Sequence, residues 1–189
     1  PDGDPPRPSY TAAISPNGAA RSAEAADGAI PIRLDPGRYG EGLKAHLEKG
    51  FAKSAEKKSD ENLGVMTPCA VIVSDDVEKA MAPVKANLAL YIGGMGARGK
   101  NFYNDYAKRL GFEEAAVKIQ DLFLDGQKKE AIAAVPNELV EAIHLVGPRD
   151  KIRDRLQAWK AAGERREVGT MLIGAMQPEA LELVAEELL

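Results

Sequence analysis

The chain has 189 residues, of which 44% are hydrophobic and 29% are charged, and its net charge is -4. These values are typical of one globular domain with a core. Basic residues form no stripe, which argues against nucleic acid as a partner. No apolar run approaches the roughly 20 residues of a membrane helix, and no signal peptide is visible. The single cysteine excludes an internal disulfide and agrees with a cytoplasmic location.

The first residues differ in composition from the rest of the chain. Prolines stand at positions 1, 5, 6 and 8, a density that predicts an extended linker over residues 1–8. We expect the remaining residues of 1–189 to form one domain. Because the chain starts at Pro1 and not at Met, it is expected to begin within a longer protein, and a trimmed terminus is the alternative.

Alternating strand and helix patterns predict the fold class. Runs rich in small and β-branched residues, bounded by turn residues, predict strands at Ser9–Ile14, Ala29–Leu34, Cys69–Val73 and Val168–Ile173. A helical pattern follows each run; the clearest is a set of apolar residues spaced by four, Tyr39, Leu43, Leu47 and Phe51. This order predicts an α/β fold with parallel strands and right-handed crossovers. Four such units form either a small open sheet or half of an eight-stranded barrel.

The region before the last strand is predicted to be helical. Residues 100–162 show no strand pattern, and Gly111, Gly126 and Pro136 divide them into short helices. Residues 93–147 are therefore expected to form a helical insertion. Pro83 is expected to kink or split the helix that begins after Asp76.

Ligands of parallel α/β folds bind at the carboxyl ends of the strands. The strongest candidate there is the turn formed by Ala13, Ile14, Ser15, Asn17 and Gly18. It leads into a helix whose free N–H groups can hold a phosphate, and Ser15 and Asn17 add side-chain donors. The alternative is an ordinary capped βα turn.

A second such stretch contains Arg33 and Arg38, which are candidate phosphate or carboxylate partners or simply solvated side chains.

A glycine-rich segment, GGMGARGK at positions 93–100, is the most unusual stretch of the sequence. It lacks both a preceding strand and the Gly-Lys-Ser/Thr ending of a P-loop. Gly94, Arg98 and Lys100 are candidates for the substrate side of a site, and the alternative is a flexible connection between two helices.

No metal centre is expected, because His46, His144 and Cys69 are isolated from further ligands in sequence. Cys69 opens a strand, which predicts a buried thiol and not a nucleophile.

Four segments together resemble the luciferase-like monooxygenase family, particularly its members that use the deazaflavin coenzyme F420. They are TAAISPNGAARSAEAADG after Tyr10, LALYIGGMGARGKNFYN from Leu88, LVGPRDKIRDRLQAWKAAG from Leu145 and VGTMLIGA from Val168. The resemblance covers nearly the whole chain. It implies a partial (β/α)₈ TIM barrel in which the four strands match strands five to eight of the family, with the helical insertion before the last strand.

The resemblance also implies a flavin- or deazaflavin-dependent oxidoreductase or monooxygenase, with coenzyme F420 as the expected cofactor and FMN as the alternative. In the family, the turn after the fifth strand wraps the cofactor phosphate with backbone amides, and it matches residues 12–16 here. Ile14-Ser15 replaces the usual small or glycine pair. The substrate is expected to be a small molecule.

Family strands one to four, which supply much of the cofactor ring contact, are expected to be absent, so no catalytic residue is assigned. The expected partner is therefore the missing half of the barrel or a second copy of the chain. The rival functional interpretation is a non-catalytic half-barrel that self-associates as a binding or structural module. A third is an unrelated small α/β protein.

Overall fold

The computed structural model describes residues 7–189 of the chain. Its strands are β1 (Tyr10–Ala12), β2 (Gly28–Ile30), β3 (Gly64–Val73), β4 (Leu145–Gly147) and β5 (Thr170–Gly174). Its α-helices are α1 (Pro16–Ala25), α2 (Ala45–Phe51), α3 (Val77–Ala89), α4 (Phe102–Arg109), α5 (Glu113–Leu124), α6 (Lys128–Ala133), α7 (Asn137–Ile143), α8 (Arg149–Glu164) and α9 (Pro178–Leu188). The predicted linker of residues 1–8 lies almost wholly outside the described part.

All strand pairs are parallel, as the alternating pattern predicts. In a parallel strand, successive residues direct their N–H and C=O groups to opposite sides. The N–H groups of the even-numbered residues Gly64 and Ser74 donate to the carbonyls of Asp27, just before β2, and of Gly147, in β4. The carbonyl of the odd-numbered Val65 accepts from Gly169, just before β5. β2 and β4 therefore lie on one side of β3, and β5 lies on the other. The order is therefore β1-β2-β3-β5, and β4 continues past the end of β2. This matches the predicted partial barrel.

The strand β4 corrects the prediction that residues 100–162 form short helices without a strand. It has three residues, all buried, so it shows no alternation of polar and apolar side chains that could reveal a strand. Only its pairing with Val71–Val73 of β3 defines it. The predicted insertion 93–147 is thus helical up to Ile143 and ends in a strand.

β3 begins five residues earlier than the predicted Cys69, at Gly64, although Pro68 lies in its middle. Proline normally argues against a central strand because it lacks an N–H group. The backbone nitrogen of Pro68 points to the side of β3 that carries β2 and β4. On that side β2 pairs only with Gly64 and Val65, and the pairing with β4 begins only at Val71. The missing N–H therefore falls where no strand stands to receive it.

The odd-numbered side chains of β3 pack in the core and are buried, as at Val65, Cys69 and Val71, except for the half-buried Val73 at the end of the strand. The even-numbered ones face the concave side of the sheet and are half-buried. That side also carries Leu172, which is 40% exposed. The sheet thus has one closed face and one open apolar face.

Two hydrophobic clusters make up the core. One joins the sheet to helices α1, α2, α8 and α9, and the other joins β4 to the helices from α3 to α7. The predicted apolar face of Tyr39, Leu43, Leu47 and Phe51 packs in the first cluster, although its backbone is a 3-10 turn, a π-helical turn and α2 in succession.

Helix ends follow the predicted signals. Asp76 caps α3, its Oδ1 accepting from the Lys79 N–H at 3.1 Å. Gly111 and Gly126 have φ values of +92° and +81° and separate neighbouring helices, where a left-handed conformation favours glycine. Pro83 does not split α3, which runs unbroken across it.

Among residues 7–189, no helix combines the length and apolar character needed to cross a membrane.

Candidate functional site

A cavity of about 220 Å³ lies beside the turn between β1 and α1. Of the predicted cofactor-binding residues, Ala13, Ile14 and Ser15 line it. Asn17 is exposed and, like Gly18, lies outside the lining. The Gly18 N–H donates to Ser15 Oγ at 3.0 Å, so this amide serves as the helix cap and is not free for a ligand.

Arg109 approaches this turn from α4. Its guanidinium donates to the Ile14 carbonyl at 2.7 Å and lies 5.4 Å from the centre of the Tyr106 ring. No carboxylate in the described residues pairs with it, whereas Arg38 in the same cavity pairs with Glu41 at 3.2 Å. Arg109 therefore brings a positive charge without an ion-pair partner to a cavity whose wall also carries the carboxylates of Asp35 and Glu41.

His46 also lines this cavity, on the side formed by α2. Partial burial lowers its pKa, and the positive charges of Lys49 and Arg109 lower it further. In its neutral form an imidazole donates from one ring nitrogen and accepts at the other.

A second cavity, of about 440 Å³, opens on the concave side of the sheet. Its lining includes Arg33, after β2, and His144, before β4, together with the polar side chains of Asn87, Tyr91 and Tyr103. The Ala70 N–H donates to His144 Nδ1 at 3.1 Å, and Arg33 lies 3.0 Å from His144 Nε2. His144 thus accepts the hydrogen bond of the Ala70 N–H at a point of β3 where neither β2 nor β4 pairs with it.

Burial holds the pKa of His144 at about 3, and the charges of Arg33 and Arg155 contribute in the same direction. The imidazole is therefore neutral across the physiological range. Burial also lowers the pKa of Arg33, but a guanidinium stays charged in proteins.

The predicted substrate-side residues of the glycine-rich segment line neither cavity. A side chain at Gly94 would overlap the Phe123 ring, so this glycine permits close packing of the π-helical turn against α5. Arg98 pairs with Asp121 at 2.7 Å and with Asp125 at 3.7 Å on the surface. Lys100 is exposed.

Cys69 is buried, as predicted, and burial raises the pKa of its thiol to about 12. A protonated, buried thiol is a poor nucleophile. Over the part of the chain that the structure describes, no group of three or more His, Cys, Asp or Glu side chains could hold a metal ion.

The sequence identifies Arg33 and the β1–α1 turn as candidates but misses Arg109, His46 and His144. His46 sits among charged residues, and Arg109 closes an amphipathic helix, so neither shows a local signal of a site. Arg109 is 95 positions from Ile14, whose carbonyl it binds. Only the fold brings such groups together.

Comparisons with known proteins identify the family of the chain. The sequence profile described as luciferase-like monooxygenase matches residues 1–166. The chain belongs to the luciferase-like monooxygenase family. This confirms the resemblance stated from the sequence, and with it the expectation of an oxidoreductase family.

One curated relative of this chain is a Mycobacterium tuberculosis protein named "Putative coenzyme F420-dependent oxidoreductase Rv3520c". It is 36% identical over 159 residues, which are 82% of this chain and 45% of that protein. The chain therefore spans about half the length of the curated relative that it matches.

Solved structures support the fold of this luciferase-like chain. The coenzyme F420-dependent tetrahydromethanopterin reductase of Methanopyrus kandleri superposes with a TM-score of 0.68 at 22% identity, covering 96% of this chain and 50% of that one. An F420-dependent secondary alcohol dehydrogenase, solved with an F420-acetone adduct, gives a TM-score of 0.60 at 16% identity, covering 100% and 49%. At these identities the likeness shows the fold alone.

Proposed function

We propose that this chain forms the phosphate-binding end of the cofactor site in an F420-dependent oxidoreductase of the luciferase-like family. The observation that carries the proposal is the Arg109 guanidinium, which makes no ion pair within residues 7–189 and lies beside the turn of Ile14 and Ser15, in a cavity at the carboxyl end of β1. The names of the relative and of the two structural neighbours favour F420, and FMN is the alternative.

The residues of the first cavity fit the phosphate end of such a cofactor. Arg109 supplies a fixed positive charge, and its bond to the Ile14 carbonyl orients it toward the turn. The N-terminus of α1 adds the positive end of a helix dipole. In its first turn, Pro16 has no N–H and the Gly18 N–H is used by the cap, which leaves the amide of Asn17, a residue outside the cavity lining.

The bound deazaflavin would supply hydride transfer, and the protein supplies position and electrostatics. In this chain, Arg109 and the α1 terminus bind the phosphate and Ser15 fixes the turn by capping the helix. We assign no proton-transfer role to residues of this chain.

We further propose that the rest of the cleft comes from a second half-barrel. Tyr10 on β1 and Leu172 on β5 are 38% and 40% exposed, and the outer edges of both strands pair with nothing in the described chain. Unpaired edges and an open apolar face are costly in water. The length of the relatives favours the other half of the barrel as the occupant, with a second copy as the competing outcome.

The test of the cofactor proposal is a fluorescence titration of F420 and of FMN into the full chain, the Arg109→Gln variant and the Arg165→Gln control. Arg165 is an exposed arginine paired with Glu167, away from the cavity. Because a hydrogen bond to a charged group contributes about 1.5–3 kcal/mol, we expect Arg109→Gln to weaken F420 binding about 10-fold or more. The control should bind like the wild type.

Equal affinity of the wild type and Arg109→Gln would overturn the phosphate assignment. Tighter binding of FMN than of F420 would overturn the choice of cofactor. A nanomolar Kd for the chain alone would contradict the shared cleft, because contacts to one end of the cofactor should give only a weak complex.

Size-exclusion chromatography with light scattering tests the second half-barrel. A stable monomer in dilute solution would contradict the need for a partner over the open face. A discrete dimer would favour the self-associating module over the split enzyme.

A further inference from the structure

The second cavity contains hydrogen-bond donors that the chain does not satisfy. His144 Nδ1 must accept, since its partner is the Ala70 backbone N–H at 3.1 Å. A neutral imidazole carries one proton, so that proton is on Nε2. Nε2 lies 3.0 Å from a guanidinium nitrogen of Arg33, which can only donate. Two N–H groups therefore meet with no acceptor between them.

Arg33 also lacks a counter-charge. Among the described residues it makes no ion pair; its other polar side-chain partner is the Asn87 amide oxygen at 2.9 Å, and its guanidinium lies 5.5 Å from the centre of the Tyr91 ring. Burial lowers the pKa of Arg33, and the groups that raise it are three tyrosines and no carboxylate. A half-buried cation without a carboxylate is costly, and a ligand anion would relieve that cost.

The rest of the wall is suited to a small organic body. Pro68, Ala70, Ile72 and Leu172 form an apolar floor on the concave sheet face, and the Tyr91 and Tyr103 rings, 4.7 Å apart between centroids, stand at the side. A cavity of about 440 Å³ with few polar groups at one end is typical of a small-molecule site.

We propose that this cavity binds the carboxylate of a small organic acid, with Arg33 and the Nε2–H of His144 as its donors. One guanidinium and one neutral imidazole provide a single positive charge, which matches a monoanion better than a phosphate dianion. The planar guanidinium suits the two oxygens of a carboxylate. The inference stands on a cavity separate from that of Arg109, so its outcome is independent of the F420 titration.

The probes are benzoate, its uncharged analogue benzyl alcohol, and inorganic phosphate, titrated into the full ¹⁵N-labelled chain and followed by NMR. Benzoate should shift the His144 imidazole and Arg33 guanidinium signals and bind at least about 10-fold more tightly than benzyl alcohol. Phosphate should bind more weakly than benzoate. Unshifted His144 and Arg33 signals at saturating benzoate, or equal binding of benzyl alcohol, would overturn the proposal.

Matched variants give a second measurement. Arg33→Gln removes the charge, and His144→Asn keeps an acceptor for the Ala70 N–H while removing the Nε2 donor. Both should weaken benzoate binding, Arg33→Gln by about 10-fold or more, whereas Arg165→Gln should not. Unchanged binding by a folded Arg33→Gln variant would contradict the assignment. If that variant does not fold, the wild-type imidazole shift decides the question. Tighter binding of phosphate than of benzoate would replace the carboxylate by a phosphoryl group and so refute this choice of ligand.

Discussion

Acidification should destabilise this protein through His144. Burial holds the pKa of this side chain at about 3, compared with an ordinary value of 6.5. Between these two values the unfolded chain binds a proton that the folded chain does not, so stability falls as the pH falls. The contribution of His144 is complete above about pH 6.5 and decreases steadily toward pH 3.

The magnitude follows from the two pKa values. At about pH 5 the unfolded state gains about 2 kcal/mol from protonating this histidine, which is a large fraction of a typical domain's stability. With an m-value of about 2 kcal/mol/M, the urea midpoint should fall by about 1 M between about pH 7.5 and pH 5 from this residue alone.

The assay is urea unfolding at both pH values for the wild type and for His144→Asn, whose Oδ1 still accepts from the Ala70 N–H. The variant should lose about 2 kcal/mol less than the wild type on acidification. His46→Asn is the matched control, since His46 is only partly buried and its change should be small. If His144→Asn keeps the full pH dependence of the wild type, the imidazole is not held neutral by burial and the reasoning fails.

Two further predictions concern packing and reactivity. Gly50→Ala should lower the free energy of unfolding by about 1–3 kcal/mol in urea titrations, because its Cβ would overlap the Ala20 carbonyl oxygen and lie 2.7 Å from the Ala23 Cβ. Gly40→Ala, whose Cβ meets nothing within 4 Å, is the control and should change stability by less than about 1 kcal/mol; similar losses in both would refute the helix contact. Cys69, whose pKa is about 12, should resist alkylation by iodoacetamide near pH 8 in the native protein and react once urea unfolds it, and rapid native labelling by mass spectrometry would contradict its burial.

Local sequence patterns predict much of the fold. The alternation of β-branched runs with helical periodicity determines a parallel α/β arrangement, because each element must bury one face. The spacing of Tyr39, Leu43 and Leu47 gives a buried face even though the backbone there includes a π-helical turn. Turn residues such as Gly111 and Gly126 mark real breaks because their backbone conformations favour glycine.

The candidate site was predictable only in part. The turn of Ala13, Ile14 and Ser15 lines a cavity because helix N-termini and strand ends coincide in this fold. The residues of the glycine-rich segment looked equally distinctive in sequence, yet Arg98 is held by ion pairs on the surface. Composition cannot distinguish a glycine that admits a ligand from one, such as Gly94, that admits the Phe123 ring.

The sequence by itself determined the order of the elements, the faces they bury and the family to which the chain belongs. Tertiary structure alone decided that a three-residue strand pairs with the end of β3, and that His144 satisfies Ala70 where no strand stands. It also brought Arg109 to a carbonyl 95 positions away. The physical reason is that periodicity is a property of neighbouring residues, whereas these contacts join segments whose proximity depends on how the whole sheet curves and packs.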